Sequence, residues 1–400
     1  MQLRFLDCAM DLERQTFSVS GERRHLEPQV FALLAHLAQH PDTLVTRDEL
    51  VETVWQGRIV SDAAIHARIA AARKAVGDDG RTQRVIETVS RRGLRFLAPV
   101  TRESASEAAK DAGLPAEGAA PQAAIRFCRS SDGTRIAWSA SGEGTPIVRA
   151  GHWLTHLEHD RASPIWRPII DAFCAFSSFV RYDGRGNGLS ERAVADLSVE
   201  ALASDLLAVA DAAALDRFTL YATSQGVPVA LAFAAAHPER VAGLILHGGF
   251  ARGRGVRSAD AKAVAQAYVT LMRQGWGAEG SQFLQAFASI FVPDGTVEQI
   301  RSLTELQRIS ADADMAVRLR QAFDAMDATH LLPQITAPTL VLHARNDGVH
   351  PLSEGLDLAA AIKGAELTVL ESRNHVLVPH EPAWPVFFSA VRQFAQAVSP

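Results

Sequence analysis

The chain has 400 residues and a formal net charge of −5, from 40 Lys and Arg against 45 Asp and Glu. Its 48% hydrophobic content is enough for more than one core, and the mild acidity excludes a protein that works by bulk attraction to polyanions. Cys8, Cys128 and Cys174 lack disulfide or metal-ligand spacing, Arg4, Asp7 and Asp11 interrupt the apolar core of any secretory leader, and no apolar run nears the roughly 18–20 residues of a bilayer span. A cytoplasmic chain with no membrane association, cofactor or metal is therefore expected.

In chain order, Thr16-Phe17-Ser18-Val19 alternates as a short strand does. Pro28 then opens a helix with Val30, Leu33, Leu34 and Leu37 at helical spacing. Thr46-Arg47-Asp48-Glu49 has the form of a capping box and starts a second helix carrying Leu50, Val54 and Trp55. A third begins at Ser61-Asp62, places Ile65, Ile69, Ala72 and Val76 on one face and stops at Gly77. Residues 85–89 and 94–96 flank Ser90-Arg91-Arg92-Gly93, a hairpin with a basic tip. Between residues 58 and 100, about nine Lys and Arg stand against four acidic residues, the local excess that a DNA-facing surface needs.

Strands, three helices and a closing hairpin describe an α+β winged helix. Val60-Ser61-Asp62, Arg68-Ile69, Arg73-Lys74-Ala75-Val76-Gly77-Asp78-Asp79, Ile86-Glu87-Thr88-Val89 and Arg92-Gly93-Leu94-Arg95-Phe96 resemble the OmpR/PhoB-type winged helix, especially its CadC-like N-terminal form. The resemblance covers residues 1–100 and implies double-stranded DNA as a partner. The third helix would enter the major groove and the hairpin tip the adjacent minor groove. It places base contacts at Ala67, Arg68 and Ala71 and phosphate contacts at Ala70 and Arg73, with Lys74 on the same exposed face and Arg91 and Arg92 in the tip. Alanine can touch a thymine methyl but cannot hydrogen-bond a base. The affinity of one module should thus be modest, and a homodimer is expected.

Residues 101–123, rich in Ala, Glu, Ser, Gly and Pro without apolar period, read as a flexible linker. Beyond them, in the region 124–400, short apolar runs at 135–141, 146–150, 178–183, 218–223, 243–248, 339–344 and 367–371 alternate with helical stretches. That rhythm predicts an α/β sheet covered on both faces. Residues 252–332 interrupt it with a largely helical segment bearing Phe283, Phe287 and Phe291, read as a cap.

Ser224 in Ala222-Thr223-Ser224-Gln225-Gly226 sits between a strand and a helix, where a strained nucleophile turn demands small neighbours. Asp347 and His375 follow later strands. The order Ser, Asp, His, each just past a strand, resembles the α/β-hydrolase family over residues 124–400, although Ala222 stands where a glycine is usual. Ala150-Gly151-His152-Trp153 resembles its oxyanion loop and residues 182–190 its glycine-rich turn, while residues 153–158 resemble hydrolase modules fused to regulators and nucleotide cyclases. The resemblance implies a catalytic Ser224, Asp347 and His375, an oxyanion hole from the N–H groups of Trp153 and Gln225, and a ligand pocket with His152, Trp153, Phe250, Phe283 and Phe287.

Asp183, a rival acid, reads as structural because it lies in the Arg185 turn. His152, His156 and His159 complete no metal signature, and Gly184, Gly186 and Gly188 lack dinucleotide-loop spacing. Three readings stay open: a one-component transcription regulator sensing a small carbonyl ligand and able to hydrolyse it, a serine esterase or lactonase tethered to DNA, and a silent hydrolase-fold dimerisation scaffold.

Overall fold

Four short antiparallel strands open the chain: β1 (Gln2–Phe5), β2 (Cys8–Asp11), β3 (Thr16–Val19) and β4 (Glu22–Arg24). Helix α1 (Pro28–Gln39), strand β5 (Leu44–Thr46), helices α2 (Arg47–Val54) and α3 (Asp62–Ala75), and strands β6 (Ile86–Val89), β7 (Gly93–Phe96) and β8 (Thr101–Glu103) complete a first unit, Met1–Ala119. This is a winged helix. The computed structural model describes residues 2–12, 16–19, 22–24, 26–55, 60, 62–78, 80–89, 92–103, 123–277 and 281–398.

Local chemistry accounts for these elements. Pro28 occupies the first turn of α1, where its missing N–H costs nothing. Thr46 Oγ1 accepts from the Glu49 N–H at 3.3 Å and caps α2. Leu33, Leu34, Leu37, Ile65, Ile69, Ala72 and Val76 fill one core with Phe5, Phe17 and Phe96. Buried Asp78 accepts from the N–H groups of Arg84, Val85 and Ile86 at 2.9–3.0 Å and fixes the start of the β6–β7 hairpin. The expected linker needs a correction at its start. Thr101–Glu103 pair antiparallel with Gln2, Leu3 and Arg4, because β1 would otherwise leave an unpaired sheet edge. Residues 104–122 of the expected linker lie outside the described residues.

The second unit, Ala120–Pro400, is built on an eight-stranded sheet. Its strands are β9 (Arg126–Arg129), β10 (Arg135–Ser141), β11 (Thr145–Arg149), β12 (Ser177–Tyr182), β13 (Phe218–Thr223), β14 (Val241–His247), β15 (Thr339–Ala344) and β16 (Glu366–Leu370). They lie in the order β16-β15-β14-β13-β11-β12-β10-β9, parallel from β16 to β12 and antiparallel at β10 and β9. The central strands β13, β14 and β15 are buried at every position, as expected for a sheet covered on both faces. One core gathers α6 (Val199–Ala212), α7 (Gly226–Ala236) and α13 (Leu352–Ala361) on the sheet. Another gathers α5 (Trp166–Cys174) and α14 (Ala383–Ala397).

Between β14 and β15 the chain leaves the sheet. It forms α8 (Arg254–Arg257), α9 (Ala259–Gly275), α10 (Gln282–Phe291), α11 (Val297–Ser310) and α12 (Ala313–Ala325), then a 3-10 turn at Thr329–Gln334. These helices are the cap, held together around Trp153, Met272, Trp276, Phe287 and Phe323. No helix among the described residues is long and apolar enough to cross a membrane.

Candidate functional site

Ser224 follows β13 directly and adopts φ +54°, a conformation that L side chains rarely hold. Three contacts enforce it. The Ser224 N–H donates to His247 O at 2.9 Å, the Val227 N–H donates to Ser224 O at 3.1 Å, and α7 begins at once. Gly226 allows a close approach, since a Cβ there would crowd the Gly151 carbonyl oxygen at 3.0 Å. That contact sets the 150–153 loop against the nucleophile turn, with the start of α7 aimed at the site.

The Asp347 and His375 side chains converge on this turn. His375 Nε2 lies 2.8 Å from Ser224 Oγ, and His375 Nδ1 lies 2.7 Å from Asp347 Oδ2. All three residues are at most 9% exposed. Burial disfavours the charged form of Asp347, but His375 and the N–H groups of His350 and Val349 outweigh it and hold the carboxyl below its usual range. The His375 N–H donates to Phe291 O at 2.9 Å, which ties the imidazole loop to the end of α10. Ser224 Oγ also lies 2.6 Å from Gln225 Oε1. One hydroxyl proton cannot serve both, so the Gln225 amide oxygen competes with His375 Nε2 for it.

The pocket in front of Ser224 has a cavity volume of about 50 Å³. Of the residues expected to line it, His152 and Trp153 do. Phe250, Phe283 and Phe287 do not, which corrects the expectation. Phe250 packs 4.7 Å from the His350 ring and under the Arg257 guanidinium. Phe283 stacks on Phe287 at 5.6 Å, and Phe287 meets Trp153 edge-on at 5.3 Å, behind the pocket wall. An aromatic stripe on a helix can face core or cavity, and here the core takes two of its three rings. Phe291, the third ring of the predicted stripe, reaches the pocket, where Trp166, Leu303, Leu306 and Gln307 join it although sequence reasoning did not single them out. The 303, 306, 307 spacing on α11 marked one helix face without saying what it covered.

The nearby histidines have separate tasks. His152 faces the pocket, His156 caps α4 (Leu157–Asp160), and His159 Nε2 contacts Ser302. His152 is held neutral, well below its usual range, by burial and by the charges of Arg149 and His375. Asp183 is fully buried and accepts from the N–H groups of Leu157 and Leu189. It braces the glycine-rich turn, in keeping with its structural reading.

In the first unit, Ala67, Ala70 and Lys74 are exposed on α3, with exposed His66 beside them, a polar group that sequence reasoning passed over. Arg68 pairs with Glu27 at 3.1 Å and donates to Gln29 at 3.3 Å. Arg73 differs from its expected phosphate role. Its guanidinium donates to Ile86 O at 3.1 and 2.7 Å and to Thr88 Oγ1 at 2.8 Å. Strand β6 is the edge of its sheet, so its outward carbonyl is open to this cation. Arg92 is exposed, and Arg91 lies outside the described residues.

Residues 162–382 match the family described as alpha/beta hydrolase fold, more than half of the chain. The chain belongs to the α/β-hydrolase family. Residues 21–96 match a second family, described as transcriptional regulatory protein, C terminal. The N-terminal region is homologous to the transcriptional activator CadC of Escherichia coli (strain K12), 35% identical over 91 residues, which are 22% of this chain and 18% of that activator. The hydrolase region is 31% identical over 204 residues to the pimeloyl-[acyl-carrier protein] methyl ester esterase of Neisseria meningitidis serogroup C, 48% of this chain and 77% of that one. The esterase EaEST from Exiguobacterium antarcticum shares the fold, with a TM-score of 0.57 and 23% identity over 68% of this chain and 98% of that one. An OmpR/PhoB-type DNA-binding domain is thus fused to a hydrolase-fold domain whose relatives support ester hydrolysis.

Proposed function

We propose that this α/β-hydrolase is a cytoplasmic one-component transcription regulator whose hydrolase domain (residues 124–400, cap at 252–332) binds a small carbonyl compound and cleaves it through Ser224. The supporting observation is the His375 imidazole, hydrogen-bonded at once to Ser224 and Asp347 beneath a helical cap, in a chain that begins with a DNA reader. His375 takes the Ser224 proton as Oγ attacks the carbonyl carbon. Asp347 orients the imidazole and offsets its charge, and the N–H groups of Trp153 and Gln225 receive the oxyanion. The proton then passes to the leaving oxygen. Water, deprotonated by His375, attacks the acyl-serine ester and frees Ser224 with its proton restored.

Ligand occupancy changes DNA binding, and cleavage ends the signal. DNA is read by the exposed face of α3, through Ala67, Arg68 and Lys74, and by Arg91 and Arg92 at the hairpin tip, with Arg73 steadying that hairpin. A homodimer supplies the affinity that one alanine-rich helix lacks. A second reading, binding without turnover, is favoured by the Gln225 oxygen that competes for the Ser224 proton.

The test is to incubate wild type and Ser224→Ala with an ester and lactone panel. Turnover or an acyl adduct at Ser224 by mass spectrometry, lost by 10³-fold or more in the variant, is the expected result. Equal turnover in both proteins would remove Ser224 as the nucleophile.

A further inference from the structure

Among the described residues, no Lys, Arg, Asp or Glu lines the pocket. Two cations stand behind its indole walls, each beside a carboxylate. Arg149 stacks against Trp166 and pairs with Asp160 at 3.7 Å. Arg320 stacks against Trp153 and pairs with Asp324 at 2.7 Å. An ion entering this pocket would lose its hydration and meet no counter-charge.

Among the described residues, four buried polar atoms of pocket-lining residues have no hydrogen-bond partner: Gln307 Oε1, His152 Nε2 and the indole nitrogens of Trp153 and Trp166. Gln307 is 2% exposed and His152 8%. Buried polar atoms are nearly always paired, so unpaired ones lining a cavity mark where a ligand supplies the partner. The two indole N–H groups can only donate, whereas Gln307 Oε1 accepts, so Gln307 with His152 is the part of the wall that can answer a ligand's own donor. Both groups are neutral: glutamine by nature, and His152 because burial, Arg149 and His375 oppose its protonation. Neutral partners suit a neutral polar group on the ligand. Apart from Thr223 and Gln225 beside the reactive Ser224 and His375, the remaining wall is apolar and includes Leu154, Trp166, Phe291, Leu303 and Leu306.

We propose that the pocket selects an uncharged acyl compound that carries, besides its reactive carbonyl, one neutral hydroxyl or amide group held by Gln307 and His152. The inference rests on the reading that the Ser224 pocket receives the ligand. It goes further by excluding carboxylate- and phosphate-bearing ligands and by giving Gln307 and His152 the role of specificity residues.

A matched trio tests it: methyl 6-hydroxyhexanoate, methyl hexanoate and monomethyl adipate, titrated against the full chain carrying Ser224→Ala. Trp153 and Trp166 fluorescence reports occupancy without requiring turnover. The hydroxy ester should bind about tenfold more tightly than monomethyl adipate and at least threefold more tightly than methyl hexanoate. Gln307→Leu should reduce the hydroxyl preference to twofold or less, with a circular dichroism spectrum matching that of Ser224→Ala to show that the variant is folded. Equal or tighter binding of monomethyl adipate overturns the inference, as does equal affinity for the two neutral esters. Failure of all three to bind overturns it together with the pocket reading. The expected order without wild-type turnover of the preferred ester would instead remove hydrolysis and keep the ligand class.

Discussion

Helix α3 leaves Ala67, Ala70 and Lys74 exposed with few fixed contacts, whereas the turn after β13 buries Ser224 against His375 and Asp347. The first surface can bind only what comes to it, and its alanines offer shape and methyl contact more than charge. The second is held together by the protein's own hydrogen bonds. If the proposed DNA face is the right one, its binding energy should be spread thinly and respond to salt and to the number of copies. On the hydrolase side a few bonds dominate, and single substitutions should be severe.

The sharpest contrast lies in Asp347→Asn. It should leave the binding of a neutral ester within about threefold and lower kcat by about 10⁴, because the amide no longer holds the productive His375 tautomer. A matched loss in binding and kcat would show that Asp347 acts only through the fold.

Acid should weaken the hydrolase unit next. His247 is pushed down to about 3 by burial, then by the charges of His375 and His343, and His152 and His350 lie well below their usual range for the same first reason. Below pH 6.5 the unfolded chain binds protons that these folded imidazoles do not. Stability is full above that pH and falls as pH drops below 6.5, the His247 contribution being lost progressively down to about pH 3. Urea unfolding followed at pH 7.5 and pH 5 should show a midpoint several tenths of a molar lower at pH 5 or a larger shift. An unchanged midpoint would mean that these histidines are not buried neutral.

Smaller effects belong to the winged helix. Arg73→Ala removes the guanidinium from Ile86 O and Thr88 and should cost about 1–3 kcal/mol of that unit's stability, read as a lower melting temperature. A DNA-affinity loss with an unchanged melting temperature would instead return Arg73 to phosphate contact. Arg92→Ala should weaken binding to all duplexes alike and flatten the log K against log salt slope by about 0.9 per copy bound. An unaltered slope would take the hairpin tip off the DNA.

The sequence made the parallel strands readable because β13, β14 and β15 are short, charge-free and mostly apolar runs set between helical stretches. The Ser224, Asp347 and His375 cluster was readable because each residue comes just past such a strand. Strand β9 escaped notice because its Arg126-Phe127-Cys128-Arg129 run lies at an exposed edge with no apolar alternation. Strand β8 escaped because its partner is the chain's own first residues, a hundred positions away. Gln307 was hidden in an amphipathic helix whose buried face reads alike over a core or a cavity. Arg73 looked like a phosphate ligand because local sequence cannot say which way a long side chain turns at a helix end.

The central claim is that filling the Ser224 pocket alters DNA binding. It is tested most directly by measuring affinity for a duplex selected by this chain from random sequence, before and after Ser224 is sulfonylated with phenylmethanesulfonyl fluoride. The account predicts at least a threefold change in wild type and none in Ser224→Ala treated in the same way. Complete modification of Ser224, verified by mass spectrometry, with no change in DNA affinity would contradict it.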